Sequence, residues 1–278
     1  MAVGSMKSFK QLNLTFPIVS ATTADISLSS TANFPNFMRV QLSNSYGYSL
    51  IPIFIRALGW EKCAILYQND TWGASGYYYF NQSIQNHDIS LINSESSRAI
   101  PSNLDRVGVK ENSKILQDII DCEARFLVLI LQYPAAYYVF EEFYDLGLRK
   151  GDMVILTSIS DLISFSAYDG AYKYKLYEIA IPVITLYGQS WVGKLGEKAL
   201  SQISNAYGNQ KNAYSCFYFD SVFLIAYALD YMINRGLDYT DSDKLNNIMR
   251  NQQFYSCTGE VIIEKGSNDR IMQALEIA

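Results

Sequence analysis

Residues 16–76 read FPIVSATTADISLSSTANFPNFMRVQLSNSYGYSLIPIFIRALGWEKCAILYQNDTWGASG, and the alternation within them decides the fold. The apolar run Pro17–Ser20 gives way to a hydroxyl-rich loop, and a second apolar run, Phe37–Val40, follows. A helical stretch then leads through Leu58-Gly59-Trp60 into a third run, Cys63–Tyr67. Each run is short, apolar and bounded by turn residues, as buried strands are. Polar and aromatic side chains gather just past the strand ends: Ser20, Thr22 and Thr23, then Asn44, then Asp70 and Trp72.

Outward from this stretch the same alternation continues. The spacing predicts helices over Gly76–Gln85, Ser113–Asp121 and Ala135–Leu146, the last capped by Gly147. It predicts strands over Ile89–Ile92, Phe126–Leu131 and Met153–Thr157. Units of this length favour an α/β fold in which an open, doubly wound parallel sheet carries helices on both faces. Residues from about Gly59 to Ala180 read as one such lobe. A second lobe draws on Pro17–Val40, a strand at Ile181–Thr185, and helices at Lys194–Tyr207 and Phe219–Ile233. The expected division is 1–50 with 184–256 for lobe I and 51–183 with 257–278 for lobe II. A chain that leaves one sheet, builds another and returns must cross by short linkers, which implies a hinge and a cleft where ligands bind.

Composition narrows the functional classes. The chain has 278 residues, 49% of them hydrophobic, and a net charge of −5, enough to bury a sizeable core. No Lys/Arg cluster suits a phosphate backbone, so nucleic acid is not expected as a partner. The apolar runs at Ala124–Leu131 and Val222–Leu229 are shorter than the roughly 20 residues of a bilayer span. No nucleophile elbow, P-loop or dinucleotide fingerprint is present. His87, the only histidine, reads as a solvated loop residue, and the adjacent Glu141 and Glu142 read as a solvated helix face. No enzyme, cofactor or metal site is expected.

Five segments, PIVSATTADIS, NFPNFMRV, ALGWEKCAILY, NDTWGASG and the late pair AYSCFYFDSVFLIAYALDYMI with FYSCTGEVIIEKGSNDR, occur in an order that resembles one family. This is the type I periplasmic-binding-protein domain. It forms the extracellular ligand-binding region of metabotropic glutamate-type receptors and natriuretic-peptide-type receptor guanylyl cyclases, and the fold of bacterial branched-chain amino-acid-binding proteins. The resemblance runs from about Phe16 to the C-terminus. It implies a two-lobed clamp that closes on a small-molecule ligand, carried by a membrane-anchored parent, facing the extracellular side and dimerising through lobe I. Family members place a longer run of strands and helices before the PIVSATT-like segment, so lobe I is expected to be incomplete at its N-terminus. The first residues, MAVGSMKSFKQLNLT, lack the apolar core of a signal peptide. Transport delivery and a ligand-free interaction role remain as alternatives to sensing.

The resemblance also supplies a site. Ser20 and Thr22, with Thr23 beside them, match the hydroxyls that receive a ligand carboxylate. Asn44 falls where the family has an Asp, Trp72 where it has an aromatic at the opening of a helix, and Ser158 where it has the Asp that accepts a ligand ammonium. The distal Lys of glutamate receptors falls at Tyr214. An ammonium taken into a closing cleft needs an anionic partner, and Asn44 and Ser158 offer dipoles only. Asp25, Asp70 and Asp161 are the carboxylates that could take over. Four widely spaced cysteines show no metal-ligand pattern. The pairings Cys63–Cys122 and Cys216–Cys257 stand beside four buried thiols. Sequons occur at Asn13, Asn69 and Asn81.

Overall fold

The computed structural model describes residues 8, 11–12, 15–102, 104–132, 134–157, 183–188, 192–207, 213–271 and 275–277. Two compact units divide the chain: Met1–Ser43 with Gly188–Leu275 (unit 1), and Asn44–Tyr187 with Glu276–Ala278 (unit 2). In chain order the first elements are β1 (Ile18–Ser20), β2 (Phe37–Arg39), α1 (Asn44–Ala57), β3 (Lys62–Asn69), α2 (Thr71–Gln85), β4 (Ser90–Leu91) and β5 (Ala99–Pro101). Next come α3 (Arg106–Glu111), α4 (Ser113–Asp121), β6 (Phe126–Ile130), α5 (Ala135–Asp145), β7 (Val154–Thr157) and β8 (Val183–Gly188). The last are α6 (Gly193–Tyr207), α7 (Ala213–Asn234), α8 (Ser242–Arg250), β9 (Gln253–Ser256), β10 (Gly259–Ile262) and β11 (Leu275–Ile277).

Unit 2 is organised by β6, whose sequence FLVLI is buried along its whole length as a strand covered on both faces must be. It runs parallel to β3 (Ala64↔Leu127 to Tyr67↔Ile130) and to β7 (Phe126↔Val154 to Leu129↔Thr157). The outer edge of β3 is shared, with β4 on its start and β5 on its end. On one face Ala64, Leu66, Leu127 and Leu129 meet Leu116 and Ile119 of α4 and Phe140 and Phe143 of α5. Carboxylates close the helix starts: Asp70 accepts from Gly73 N and Asp105 from Gly108 N, both at 2.8 Å. Gly147, at φ +100°, ends α5 in the left-handed conformation that glycine adopts without strain.

Several sequence expectations are corrected here. The strand expected at Ile181–Thr185 in lobe I is β8, which pairs parallel with β7 (Ile155↔Val183) and extends the sheet of unit 2. An apolar VITLYG run fits either sheet, and β7 offered a partner edge. Helix α1 belongs wholly to unit 2, because the Ser83 hydroxyl of α2 donates to Ser49 O at 2.6 Å. Glu141 and Glu142 are buried rather than solvated; the short α3 lies against α5, and its Arg106 Nε donates to Glu141 Oε2 at 2.9 Å. His87 is half-buried in the turn that closes α2.

The cysteines also separate. All four carry thiols. Ala64 and Leu66 face the α4 side, so strand alternation turns Cys63 to the opposite face, whereas Cys122, at the end of α4, packs on the Ala64 side. The Cys63–Cys122 pairing is therefore excluded by the two faces of one sheet.

Unit 1 holds the parallel pair β1–β2 (Ile18↔Phe37 to Ser20↔Arg39) and the antiparallel hairpin β9–β10. Its core gathers Met38, Val40, Phe217, Leu224, Met249, Phe254 and Val261 from both ends of the sequence. Residues 257–271 were expected in lobe II but lie in unit 1, because the tail is stitched to the first strands. Asn268 Nδ2 donates to Leu28 O (2.7 Å) and Phe34 O (3.0 Å), and Arg250 Nη2 donates to Phe37 O (2.9 Å). Helix α7 alone among the described residues is long and apolar enough to cross a bilayer, over Ser215–Asn234. One face of it packs into unit 1 through Phe217, Leu224 and the fully buried Asp220, which lies 3.5 Å from Arg270 Nη1, while Val222 and Ile233 on the other face are exposed.

Candidate functional site

Open parallel sheets bind ligands beyond the carboxyl ends of their strands, so the ends of β1, β3 and β6 carry the argument. In unit 1, Ser20 ends β1. Its Oγ accepts from Thr23 N at 3.1 Å and Thr22 N at 3.4 Å, and donates to Thr23 Oγ1 at 2.7 Å. Ser20 thus fastens a tight turn, as serine does at strand ends. Its fastening sets Thr22 outward, and Thr22 is the exposed member of the three.

The turn is held from behind by a residue that the sequence reading passed over. Arg39, 0% exposed, donates through Nη1 to Thr23 O at 3.2 Å and Asp25 O at 2.7 Å, and through Nε to Asp269 Oδ1 at 2.7 Å. Burial lowers the guanidinium below its ordinary value, and Asp269 opposes that shift. The only sequence signal for this was an arginine inside an apolar strand, which must be paired to be tolerated.

In unit 2 the end of β3 turns directly into α2. Gln68 is buried; its Nε2 donates to Asp70 Oδ2 and its Oε1 accepts from Gln132 N at 3.2 Å, joining the end of β3 to the second residue beyond β6. Asp70 also caps α2. Gly73 permits the close turn, since a Cβ there would stand 2.0 Å from Gln68 O. Trp72 is half-buried with its ring edge-on to Tyr48, 6.0 Å between centroids at 76°. Beside this rim Tyr67 and Tyr77 stack at 4.6 Å, and burial raises the Tyr67 phenol.

Within unit 1 the structure brings Ser20, Thr22 and Thr23 into one turn, and within unit 2 it sets Trp72 next to Gln68 and Asp70. Asn44 heads α1, but its side chain, that of Tyr214, and Ser158 and Asp161 lie outside the described residues. Two of the candidate substitute carboxylates are engaged elsewhere. Asp70 caps a helix, and Asp25 accepts from Ser27 N at 2.9 Å and Ser27 Oγ at 2.8 Å. Gln68 and Gln132 were missed because no local motif distinguishes a glutamine at a strand end. Among the described residues no group of three His, Cys, Asp or Glu could hold a metal ion.

Residues 6–277 match the family model described as "Receptor family ligand binding region". Among solved structures, the chain is similar to a solute binding protein of an ABC transporter from Rhodopseudomonas palustris BisB5, determined in complex with 3,4-dihydroxy benzoic acid. The TM-score is 0.76 at 15% sequence identity, covering 99% of this chain and 70% of that one. At that identity the likeness shows the fold. No curated protein matches the sequence.

Proposed function

The chain belongs to the receptor-family ligand-binding region, with the type I periplasmic-binding-protein fold, and we propose that it binds a small organic molecule and does not transform it. The observation that carries this reading is that each unit sets hydrogen-bonding groups just past the carboxyl ends of its own parallel strands, with an indole beside those of unit 2. In unit 1 Thr22 on its Ser20-fastened turn offers a hydroxyl; in unit 2 the buried Gln68 braces the strand ends, the exposed Gln132 stands just past β6, and Trp72 offers an aromatic face. Binding sites of this type combine apolar walls with a few placed polar groups.

The chemistry of the rim points to the ligand class. Asp25 and Asp70 are engaged in capping, which favours a neutral or anionic ligand over one that must bury an ammonium. The aromatic hydroxy acid bound by the solute-binding protein of similar fold is of that kind. We therefore place solute delivery first among the biological roles. Sensing is the second reading, favoured by the description of the matching family as a receptor ligand-binding region; a membrane-anchored parent, an extracellular face and dimerisation through unit 1 belong to that reading.

A thermal-shift screen tests the proposal. A ligand that binds only the folded state raises stability by RT ln(1 + [L]/Kd), so the melting midpoint should climb with concentration for aromatic hydroxy acids and not for simple amino acids. A screen of aromatic acids, amino acids, nucleosides and sugars in which nothing moves the midpoint would contradict ligand binding. A shift by amino acids alone would overturn the ligand class.

A further inference from the structure

We propose that Cys216 and Cys257 are an oxidation site, the two halves of a disulfide that locks the β9–β10 hairpin onto α7. Cys216 lies in the first turns of α7 and Cys257 in the two-residue turn of the hairpin. Both are fully buried, and with Ala199 of α6 they form one packed cluster against Phe219.

The backbone around the pair is already fixed. Cys257 N donates to Asp220 Oδ1 at 3.0 Å, and Asp220 follows Cys216 by four residues, which puts both on one face of α7. Thr258 Oγ1 donates to the other oxygen of the same carboxylate, and Val192 N donates to Cys257 O at 2.9 Å. The hairpin turn is thereby pinned to the face of the helix that Cys216 occupies. Disulfides require that two α-carbons sit close and be held there without strain, and a turn anchored by three hydrogen bonds meets the second condition. Cys63 and Cys122 lie on opposite faces of their sheet, so their sulfurs cannot meet.

The bond forms by two exchanges with a low-molecular-weight disulfide such as oxidised glutathione. The thiolate of one cysteine attacks a glutathione sulfur and expels one glutathione thiolate. The second cysteine, deprotonated, then attacks the mixed disulfide and expels the other. Two protein thiols lose two protons and two electrons, and one oxidised glutathione becomes two reduced ones. Because both sulfurs are sealed in the native fold, the exchange belongs to folding, before α7 and the hairpin close over them. Such a bond persists in oxidising compartments, so the pair also reports where the chain matures, independently of what it binds.

The test is refolding of the full 278-residue chain in a glutathione redox buffer, followed by denaturation, alkylation of remaining thiols and peptide mass mapping. The expected result is a Cys216–Cys257 linked peptide with Cys63 and Cys122 alkylated, and a reductant-dependent fall in melting midpoint on the order of 10 °C that Cys257→Ser abolishes. Four alkylated cysteines, or a bridge in any other pairing, would overturn the assignment. Mapping of the unsubstituted chain decides the question even where Cys257→Ser does not fold.

Discussion

The Arg39 guanidinium donates through Nε to Asp269 Oδ1 at 2.7 Å, joining residues 230 positions apart in the chain. Their side chains are 0% and 5% exposed, and the same guanidinium grips Thr23 O and Asp25 O. One charge pair therefore ties the C-terminal tail to the loop that presents Thr22. Removing one partner strands the other in a low-dielectric interior at a cost of about 3–5 kcal/mol. Asp269→Ala should lower the unfolding free energy in urea by that amount. The double change Arg39→Met with Asp269→Leu should lose clearly less, because no charge is left unpaired. Equal losses in the single and double variants would show that the pair does not act as a charge pair.

A second prediction concerns the seat of Trp72. A Cβ on Gly76 would lie 2.6 Å from Tyr48 Cε2 and 3.0 Å from Ile130 Cγ2, and Tyr48 is the ring that flanks Trp72. Gly76→Ala is expected to cost about 1–3 kcal/mol by overpacking, despite the helix propensity it gains. Tyr48→Leu in the same chain should restore part of the loss. A stabilised Gly76→Ala protein in thermal unfolding would contradict the packing described.

The alkaline limb of stability carries a third. Burial pushes the Cys63 thiol from its ordinary 9.0 up to about 12, with Arg98 pulling weakly the other way. The unfolded chain therefore ionises first as pH rises. The contribution is fully present below pH 9 and is lost as pH climbs toward 12, at about 1.4 kcal/mol per pH unit between them. Cys63→Val should flatten that slope by roughly one proton's worth. The same burial makes Cys63 in the native chain inert to alkylating reagents near neutral pH, which a timed labelling experiment reads directly.

The order of strands and helices was legible because each run has a clear period and sharp punctuation: FLVLI admits one reading, and Gly147 stops α5 where a glycine should. Helix α3 was missed because RVGVKE is one turn and a half long with a glycine inside. That omission made Glu141 and Glu142 look solvated. The placement of β8 could not be read, since an apolar strand carries no record of which sheet it joins. At the site, the turn Ser20–Thr23 was legible from its local chemistry. Arg39–Asp269 and Gln68–Gln132 were not, because each is a contact between positions distant in sequence that only the assembled fold brings together.

The most direct test of ligand binding by these rims is calorimetric titration of the tightest ligand from the screen into the unsubstituted chain, Thr22→Val and Trp72→Ala. Losing one hydrogen bond or one stacked ring should weaken Kd by about tenfold or more, with the unfolding midpoint of unliganded Thr22→Val nearly unchanged and that of Trp72→Ala lowered by its lost packing on Tyr48. Unaltered affinity in both variants would place the ligand elsewhere and contradict the site.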